Sequence, residues 1–319
     1  MAASANSDSS ARLPELGVVF APACGAFPTG LPVLDGQPVE RIIDDAAQAG
    51  RTGPFTLARA GDWLLGMASV PTGGITESAT RHLYVALFVA ARGWNLARIW
   101  NYVPAINERD AGGLERYRAF SRGRSLAFET EFGPGFQAAI PAASAVGTDA
   151  PELTVVFAAT KGTPRHVENP LQLPAYEYPP EYGPRPPSFA RATVVPREAA
   201  GRADVFVSGT AAIRGHATVA PAETLPQLAC TLENLREISV ACGLGPDLAR
   251  GRAEARHFKV YLRCADDLPA VKTVLERELL TPTDAVSYLR SDICRRELNV
   301  EIEATVVGAA RPELPWHRR

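Results

Sequence analysis

Two glutamates near the C-terminus, Glu301 and Glu303, stand at i and i+2 in the run Leu298-Asn299-Val300-Glu301-Ile302-Glu303-Ala304-Thr305. In an extended chain this spacing puts both carboxylates on one face, with Val300, Ile302 and Ala304 on the other. A carboxylate pair drawn out of water can do general acid–base work. On an open strand face the same pair is merely solvated. An internal repeat favours the first reading. Aligning Ala159-Thr160 with Ala304-Thr305 sets Val156 against Glu301 and Ala158 against Glu303, so one copy is apolar where the other is acidic. A duplicated unit with a single acidic copy is what one active site built between two halves would look like.

Leu114 to Arg124 is the densest basic stretch. Tyr117, Phe120 or Ser121, and Arg124 fall on one helical face. An arginine beside a tyrosine suits a planar carboxylate, because the guanidinium fork can bond both oxygens. An exposed basic helix face is the plainer alternative. Nucleic acid is not an expected partner, since the stretch is short and the chain carries a formal net charge of −2. Several chemistries lack their signatures: there is no GxGxxG after a strand, no GxxxxGK[ST], no HExxH and no GxSxG. The five histidines stand singly. The five cysteines (Cys24, Cys230, Cys242, Cys264, Cys294) form no CxxC pair, so neither a disulfide framework nor a metal site is expected.

The elements that must position these residues recur in order. The first half reads as a helix over Thr76–Arg92, a strand over Ala97–Val103, a helix over Leu114–Phe128, and strands over Ala143–Gly147 and Leu153–Thr160. The second half repeats this: a helix over Leu225–Cys242, a strand over His257–Arg263, a helix over Leu268–Leu280, and strands over Ala285–Arg290 and Leu298–Thr305. One further strand, Asp204–Gly209, precedes that second set. Residues 164–187 hold eight prolines, which preclude a helix or a central strand there. They read equally as a stiff linker or as a crossing segment lining a cleft with tyrosines. With 319 residues, 46% of them apolar, the chain is long enough for two ordinary domains. The expected division is a loose tail over 1–12, an N-terminal domain over 13–163, the Pro/Tyr-rich connection over 164–187 and a C-terminal domain over 188–319. The start has no apolar signal-like region, and the longest apolar stretch, Leu83–Ala91, is too short to span a bilayer. A cytoplasmic protein without a membrane partner is expected.

Residues from about Val205 to Val307 resemble the YjgF-like (RidA) fold. The resemblance rests on Phe206-Val207-Ser208-Gly209, Leu232-Glu233-Asn234-Leu235 with Gln227, Phe258-Lys259-Val260-Tyr261-Leu262, and Val300-Glu301-Ile302-Glu303-Ala304. It implies an α+β fold in two halves with the helices packed on one face of each sheet, and an acidic site residue at Glu301. Deaminases of that fold carry an Arg on the preceding strand. Counting back from Glu301 reaches Val286, with Arg290 the nearest arginine, so imine deamination is a third-ranked reading.

A longer match runs from Arg98 to Thr305. It includes Arg98-Ile99-Trp100-Asn101-Tyr102-Val103-Pro104-Ala105-Ile106-Asn107, Glu168-Asn169-Pro170, Ala175-Tyr176-Glu177-Tyr178-Pro179, Tyr182-Gly183-Pro184-Arg185, Ser188-Phe189-Ala190-Arg191-Ala192 and Ser208-Gly209-Thr210-Ala211. These resemble the chorismatase family, which removes the enolpyruvyl group of chorismate as pyruvate without a cofactor. The resemblance implies that Glu301 is the acid, and that Arg124 with Tyr117, and Arg191 with Tyr176, bind the two carboxylates of the substrate. Cys294, seven residues before Glu301, and Gly209 match the subtype that yields 3-hydroxybenzoate. The alternatives are the hydrolytic subtype, which gives a cyclohexadiene diol, and a non-catalytic binder of a small carboxylate. Fusing two copies of a usually trimeric unit is compatible with a monomer.

Overall fold

In Arg98-Ile99-Trp100-Asn101-Tyr102-Val103 alternate residues fall on opposite faces of a strand. Trp100 and Tyr102 pack into one apolar cluster, Ile99 and Val103 into another. Two-faced burial of this kind requires a layer on each side of the sheet. The structure, a computed structural model, describes residues 13–19, 26–41, 47–197 and 201–310; the expected tail over 1–12 and Cys24 lie outside the described residues.

The chain opens with strands β1 (Glu15–Val19), β2 (Ala26–Gly36) and β3 (Val39–Arg41). The first half follows as β4 (Ala47–Thr52), β5 (Phe55–Ala60), β6 (Trp63–Pro71), α1 (Thr76–Ala90), β7 (Asn95–Pro104), α2 (Arg116–Phe132), β8 (Ala142–Thr148) and β9 (Glu152–Thr160). After β10 (Arg165–Val167) come β11 (Ala192–Arg197), β12 (Arg202–Ala211), the short pair β13 (Ile213–Arg214) and β14 (Ala217–Thr218), and α3 (Thr224–Ala241). The second half ends with β15 (Ala255–Leu262), α4 (Leu268–Glu278), β16 (Ala285–Arg290) and β17 (Val300–Ala310).

The two halves repeat one topology. The first sheet has the order β4-β5-β6-β9-β7-β8, the second β10-β11-β12-β17-β15-β16-β2-β1-β3. In each, the last strand runs antiparallel between two earlier ones, β9 between β6 and β7, and β17 between β12 and β15. In each, the two strands joined by the second helix are parallel, β7 with β8 and β15 with β16. Helices α1 and α2 cover the outer face of the first sheet through Leu83, Leu87, Phe120 and Phe128. Helices α3 and α4 cover the second through Leu228, Leu235, Val271 and Leu275. The inner faces pack on each other through Leu65, Met67, Val156, Ala158, Phe206, Tyr261 and Leu289. The result is the expected α+β fold in two halves, with helices on one face of each sheet. No helix among the described residues is long and apolar enough to cross a membrane.

One expected boundary is corrected. The first half was expected to begin at residue 13, but β1–β3 extend the second sheet, because β2 pairs with β16. Leu16 and Leu31 of this ribbon are buried in the layer between the sheets, each such burial contributing about 1.5–3 kcal/mol. The Pro-rich connection, which reads equally as a stiff linker or as a crossing segment, has structure of its own. It contributes the edge strand β10, where proline's missing donors are tolerated, and then two short 3-10 turns at Ala175–Glu177 and Pro180–Tyr182.

Candidate active site

Because β17 has Val300, Ile302 and Ala304 in the core under α3 and α4, Glu301 and Glu303 must face the first sheet. Both are buried, so the solvated-face alternative does not hold. Their surroundings differ. Glu303 is fully engaged: Arg98 donates to it at 2.7 Å, the Trp100 indole at 2.9 Å, and Lys259 Nζ lies 2.5 Å away. Burial alone would raise its pKa, but Lys259 and Arg98 outweigh burial and hold the carboxyl well below the usual range. Glu301 accepts none of the hydrogen bonds found among the described residues. Burial, reinforced by the negative charge of Glu303, pushes it up to about 8 against the opposing pull of Arg98 and Arg191. One carboxyl is an ion-pair partner; the other, its pKa raised, lines the wall of a cavity.

The cavity forms where β8, the edge of the first sheet, meets β12. Ser208 Oγ accepts from the Ala143 amide at 2.9 Å and donates to the Ala190 carbonyl at 2.6 Å, which fixes that seam. Just beyond, the pairing of β12 with β17 slips between Val207 and Thr210, a bulge that sets Gly209 beside the acid. A Cβ at Gly209 would overlap the Glu301 carboxyl and come within 3.3 Å of Ser144 Cβ. Glycine here makes room for the acid itself.

Helix α2 supplies the opposite wall. Tyr117, Ser121 and Arg124 face inward on one stripe, whereas Arg118 and Arg122 face out to Glu115 and Glu77, 3.6 and 3.2 Å away. The stripe comes close because Gly123 lies against the Glu77 carbonyl of α1, where a side chain would collide. Arg124 is buried over the rings of Phe120 and Phe189, at 5.0 and 5.9 Å, with no acidic partner among the described residues. Its Nε and Nη1 donate to nothing. Arg191, buried beneath the other face of the cavity, donates to the Leu173 carbonyl and to the Tyr178 hydroxyl at 3.0 and 2.8 Å. Its Nε is unsatisfied, and Glu168 is 3.9 Å away. Buried guanidinium donors without acceptors are costly, and a ligand bearing carboxylates would satisfy them.

Of the residues expected at a site, Tyr117, Arg124, Arg191, Gly209, Cys294 and Glu301 line one cavity. Tyr176 does not. It lies inside the 3-10 turn and packs toward the first-half core, so Tyr178, two residues on, is the tyrosine that meets Arg191. Cys294, on the irregular segment between β16 and β17, has its thiol pushed up to about 12 by burial and by Glu301, so it is a neutral S–H. Arg290, the nearest arginine to the deaminase position, forms a two-pronged bond to Asp149 at 2.7 Å outside the cavity.

Sequence reasoning missed Phe189, which separates the two guanidinium groups, and the charges beneath Glu303. A signal for the latter existed: Lys259 is one of three lysines in the chain and sits between Phe258 and Val260 in an apolar strand. The inner cavity, about 30 Å³, opens past Tyr117, Phe189, Ile213 and Cys294 into an outer hollow of about 370 Å³ walled by Tyr178, Tyr182 and Arg295. The outer space is of small-molecule size.

Residues 42–159 match the family model described as "Chorismatase FkbO/Hyg5-like, N-terminal". The chain is 37% identical over 278 residues to a 3-hydroxybenzoate synthase of Streptomyces hygroscopicus, covering 83% of this chain and 80% of that one. It is 40% identical over 257 residues to a chorismatase of Streptomyces rapamycinicus, covering 78% and 76%. A crystal structure of a chorismatase superposes with a TM-score of 0.72 at 36% identity, over 84% of this chain and 80% of that one.

The state of Glu301 is open to a direct measurement. The unfolded chain releases this proton near 4.5 and the folded chain near 8. Between those values the folded state holds a proton that the unfolded state has lost, so stability falls as pH rises. The contribution is whole below about 4.5 and gone above about 8. Glu301→Gln has no such proton. In paired thermal melts from about pH 5 to about pH 9 the wild type should therefore lose ground progressively to the variant. A difference that stays flat with pH would mean that Glu301 is ionised throughout.

Proposed function

The chain belongs to the chorismatase family, and on that premise we propose that it cleaves chorismate to pyruvate and 3-hydroxybenzoate, with Glu301 as the acid. The observation that carries this reading is the pairing of an unengaged, buried carboxyl with two buried arginines, each keeping at least one donor without an acceptor. Chorismate is a dianion with an acid-labile enol ether, and its two carboxylates match Arg124 and Arg191. Tyr117 and Tyr178 flank the two guanidinium groups.

In this mechanism Glu301 protonates the vinyl methylene to give an oxocarbenium. The neighbouring ring hydroxyl adds to its carbon and gives up its proton. That oxygen's bond to the ring then breaks as the adjacent ring C–H loses its proton, and the resulting hemiketal collapses to pyruvate and 3-hydroxybenzoate. A carboxyl held neutral by burial is suited to that step at neutral pH. Pyruvate and hydroxybenzoate together contain all the atoms of chorismate, so the aromatic outcome consumes no water; the diol consumes one. Cys294, a neutral thiol beside Glu301, can relay a ring proton in the aromatic branch. The hydrolytic subtype remains the alternative product. Imine deamination finds no support, because Arg290 is engaged by Asp149 outside the cavity.

Incubation with chorismate and a coupled lactate dehydrogenase assay tests the reading. Wild type should release pyruvate, and Glu301→Gln should do so roughly 10²–10⁴ times more slowly with binding retained. No pyruvate from wild type, with only a ligand-induced rise in melting temperature, would leave a binding protein instead.

Arg124→Ala should cost about 2–4 kcal/mol of transition-state binding, mostly as a higher KM. Arg122→Ala, whose side chain faces Glu77, and Arg116→Ala, bonded to the Pro104 carbonyl, should change far less. Equal losses at all three would point to the helix as a whole rather than to Arg124.

Products distinguish the branches, since only one of them is aromatic. Cys294→Ala should shift product from hydroxybenzoate toward the diol, with pyruvate still formed. Adding Gly209→Ala, which re-aims the Glu301 carboxyl, should shift it further and slow the reaction. Hydroxybenzoate as the sole product of both variants, by chromatography and ultraviolet absorbance, would remove Cys294 from the branch.

A further inference from the structure

Beneath Glu301 lies a group of charges that the proposed reaction does not touch. Lys259 on β15 and Arg98 on β7 bring two positive charges; Glu303 on β17 and Glu40 on β3 bring two negative ones. All four are buried. Lys259 Nζ is 2.5 Å from Glu303 and 2.6 Å from Glu40, and Arg98 is 2.7 Å from Glu303. The charges cancel within one sealed layer. Glu301, on the same strand face as Glu303, is a fifth ionisable group, and the one cation of the layer that draws on it, Arg98, is already paired with Glu303. The other titratable neighbours of this layer add none. Tyr102 and Tyr261 keep their protons because of burial, and burial lowers the pKa of His257, keeping it neutral. From the cavity side Glu301 faces Tyr117, Cys294, Arg124 and Arg191, with Glu168 behind Arg191. In the proposed reaction the ligand's carboxylates claim both arginines.

We infer that Glu40 and Lys259 are positioning residues: together they balance the charge around Glu303 and so leave Glu301 holding its proton. The contribution of Glu40 is the less obvious one. Paired with Glu303 alone, Lys259 and Arg98 would leave one positive charge free to draw the proton off Glu301. Glu40, brought across by the N-terminal ribbon, cancels it. This rests on the reading above for what the proton is used for, but not for where the proton is.

The test changes the balance in both directions. Glu40→Gln keeps the shape and leaves the layer net positive; Lys259→Met leaves it net negative. In the free protein the infrared band of the protonated carboxyl, assigned by its loss in Glu301→Gln, is followed against pH. Its midpoint should fall by about one pH unit or more in Glu40→Gln and rise in Lys259→Met. In the double variant, balanced again, it should return toward wild type. Pyruvate release by Glu40→Gln should drop about tenfold above the new midpoint yet stay near wild type at about pH 6. A midpoint that moves in neither single variant overturns the inference, as does a loss of activity equal at all pH values. A midpoint that moves as expected in a protein that releases no pyruvate upholds the charge balance and overturns the reaction.

Discussion

Lys259 Nζ lies between two carboxylates, 2.6 Å from Glu40 and 2.5 Å from Glu303, in a layer closed to water on both sides. Through these contacts three pieces of the chain are tied at one point. Glu40 belongs to the N-terminal ribbon and Glu303 to the second half, while Arg98 and Trp100, which hold the other side of Glu303, belong to the first. A buried ion cluster of this kind stabilises little relative to well-packed apolar residues, but removing one member leaves an uncompensated charge. Its effect is therefore on geometry. The cluster penalises any slip of one inner sheet face against the other, because every slip would separate charges that have no water to turn to.

That constraint explains why the inner layer is divided. Away from the cluster the two sheets meet through Leu65, Val156, Phe206 and Leu289, an ordinary apolar contact. Beside it the layer turns polar, and there the edge strand β8 abuts the bulge in β12. The cavity opens at that boundary. The repeat needs only one such boundary: at the positions matching Glu301 and Glu303 the first half has Val156 and Ala158, which pack in the apolar part of the same layer. The halves share a topology but differ in what they bring to the cavity, the first the arginine-bearing helix α2 and the second Glu301.

Much of this was legible in the residues. The period of two in Val300–Thr305 placed Glu301 and Glu303 on one face, and the period of the helix separated Arg124 from Arg118 and Arg122. Repetition gave the order of elements. What alternation cannot give is which sheet an inner face meets, so burial of the two glutamates and the opposed states of their carboxyls came only with the tertiary structure. The ribbon β1–β3 was equally invisible, since an edge strand carries no mark of the sheet it will join. Tyr176 and Tyr178 have the same residue type two positions apart, and only the 3-10 turn that holds Tyr176 decides which one reaches Arg191.

The cavity is built from groups that folding leaves unsatisfied. Arg124 keeps two donors without acceptors, Arg191 keeps one, and Glu301 holds its proton because ionising there is costly. Each arrangement lowers stability when the site is empty. A surrounding that supplied acceptors would relieve the arginines and leave them no donors for a ligand. A surrounding that supplied a cation to Glu301 would relieve the carboxyl and also remove its proton. Glu303, only two residues away, shows what such relief looks like: with Arg98, Trp100 and Lys259 around it, that carboxyl is ionised and has no capacity left for a ligand. The difference between the two glutamates is therefore one of partners, and the partners of Glu303 are set by strands β7 and β15 rather than by anything in β17 itself.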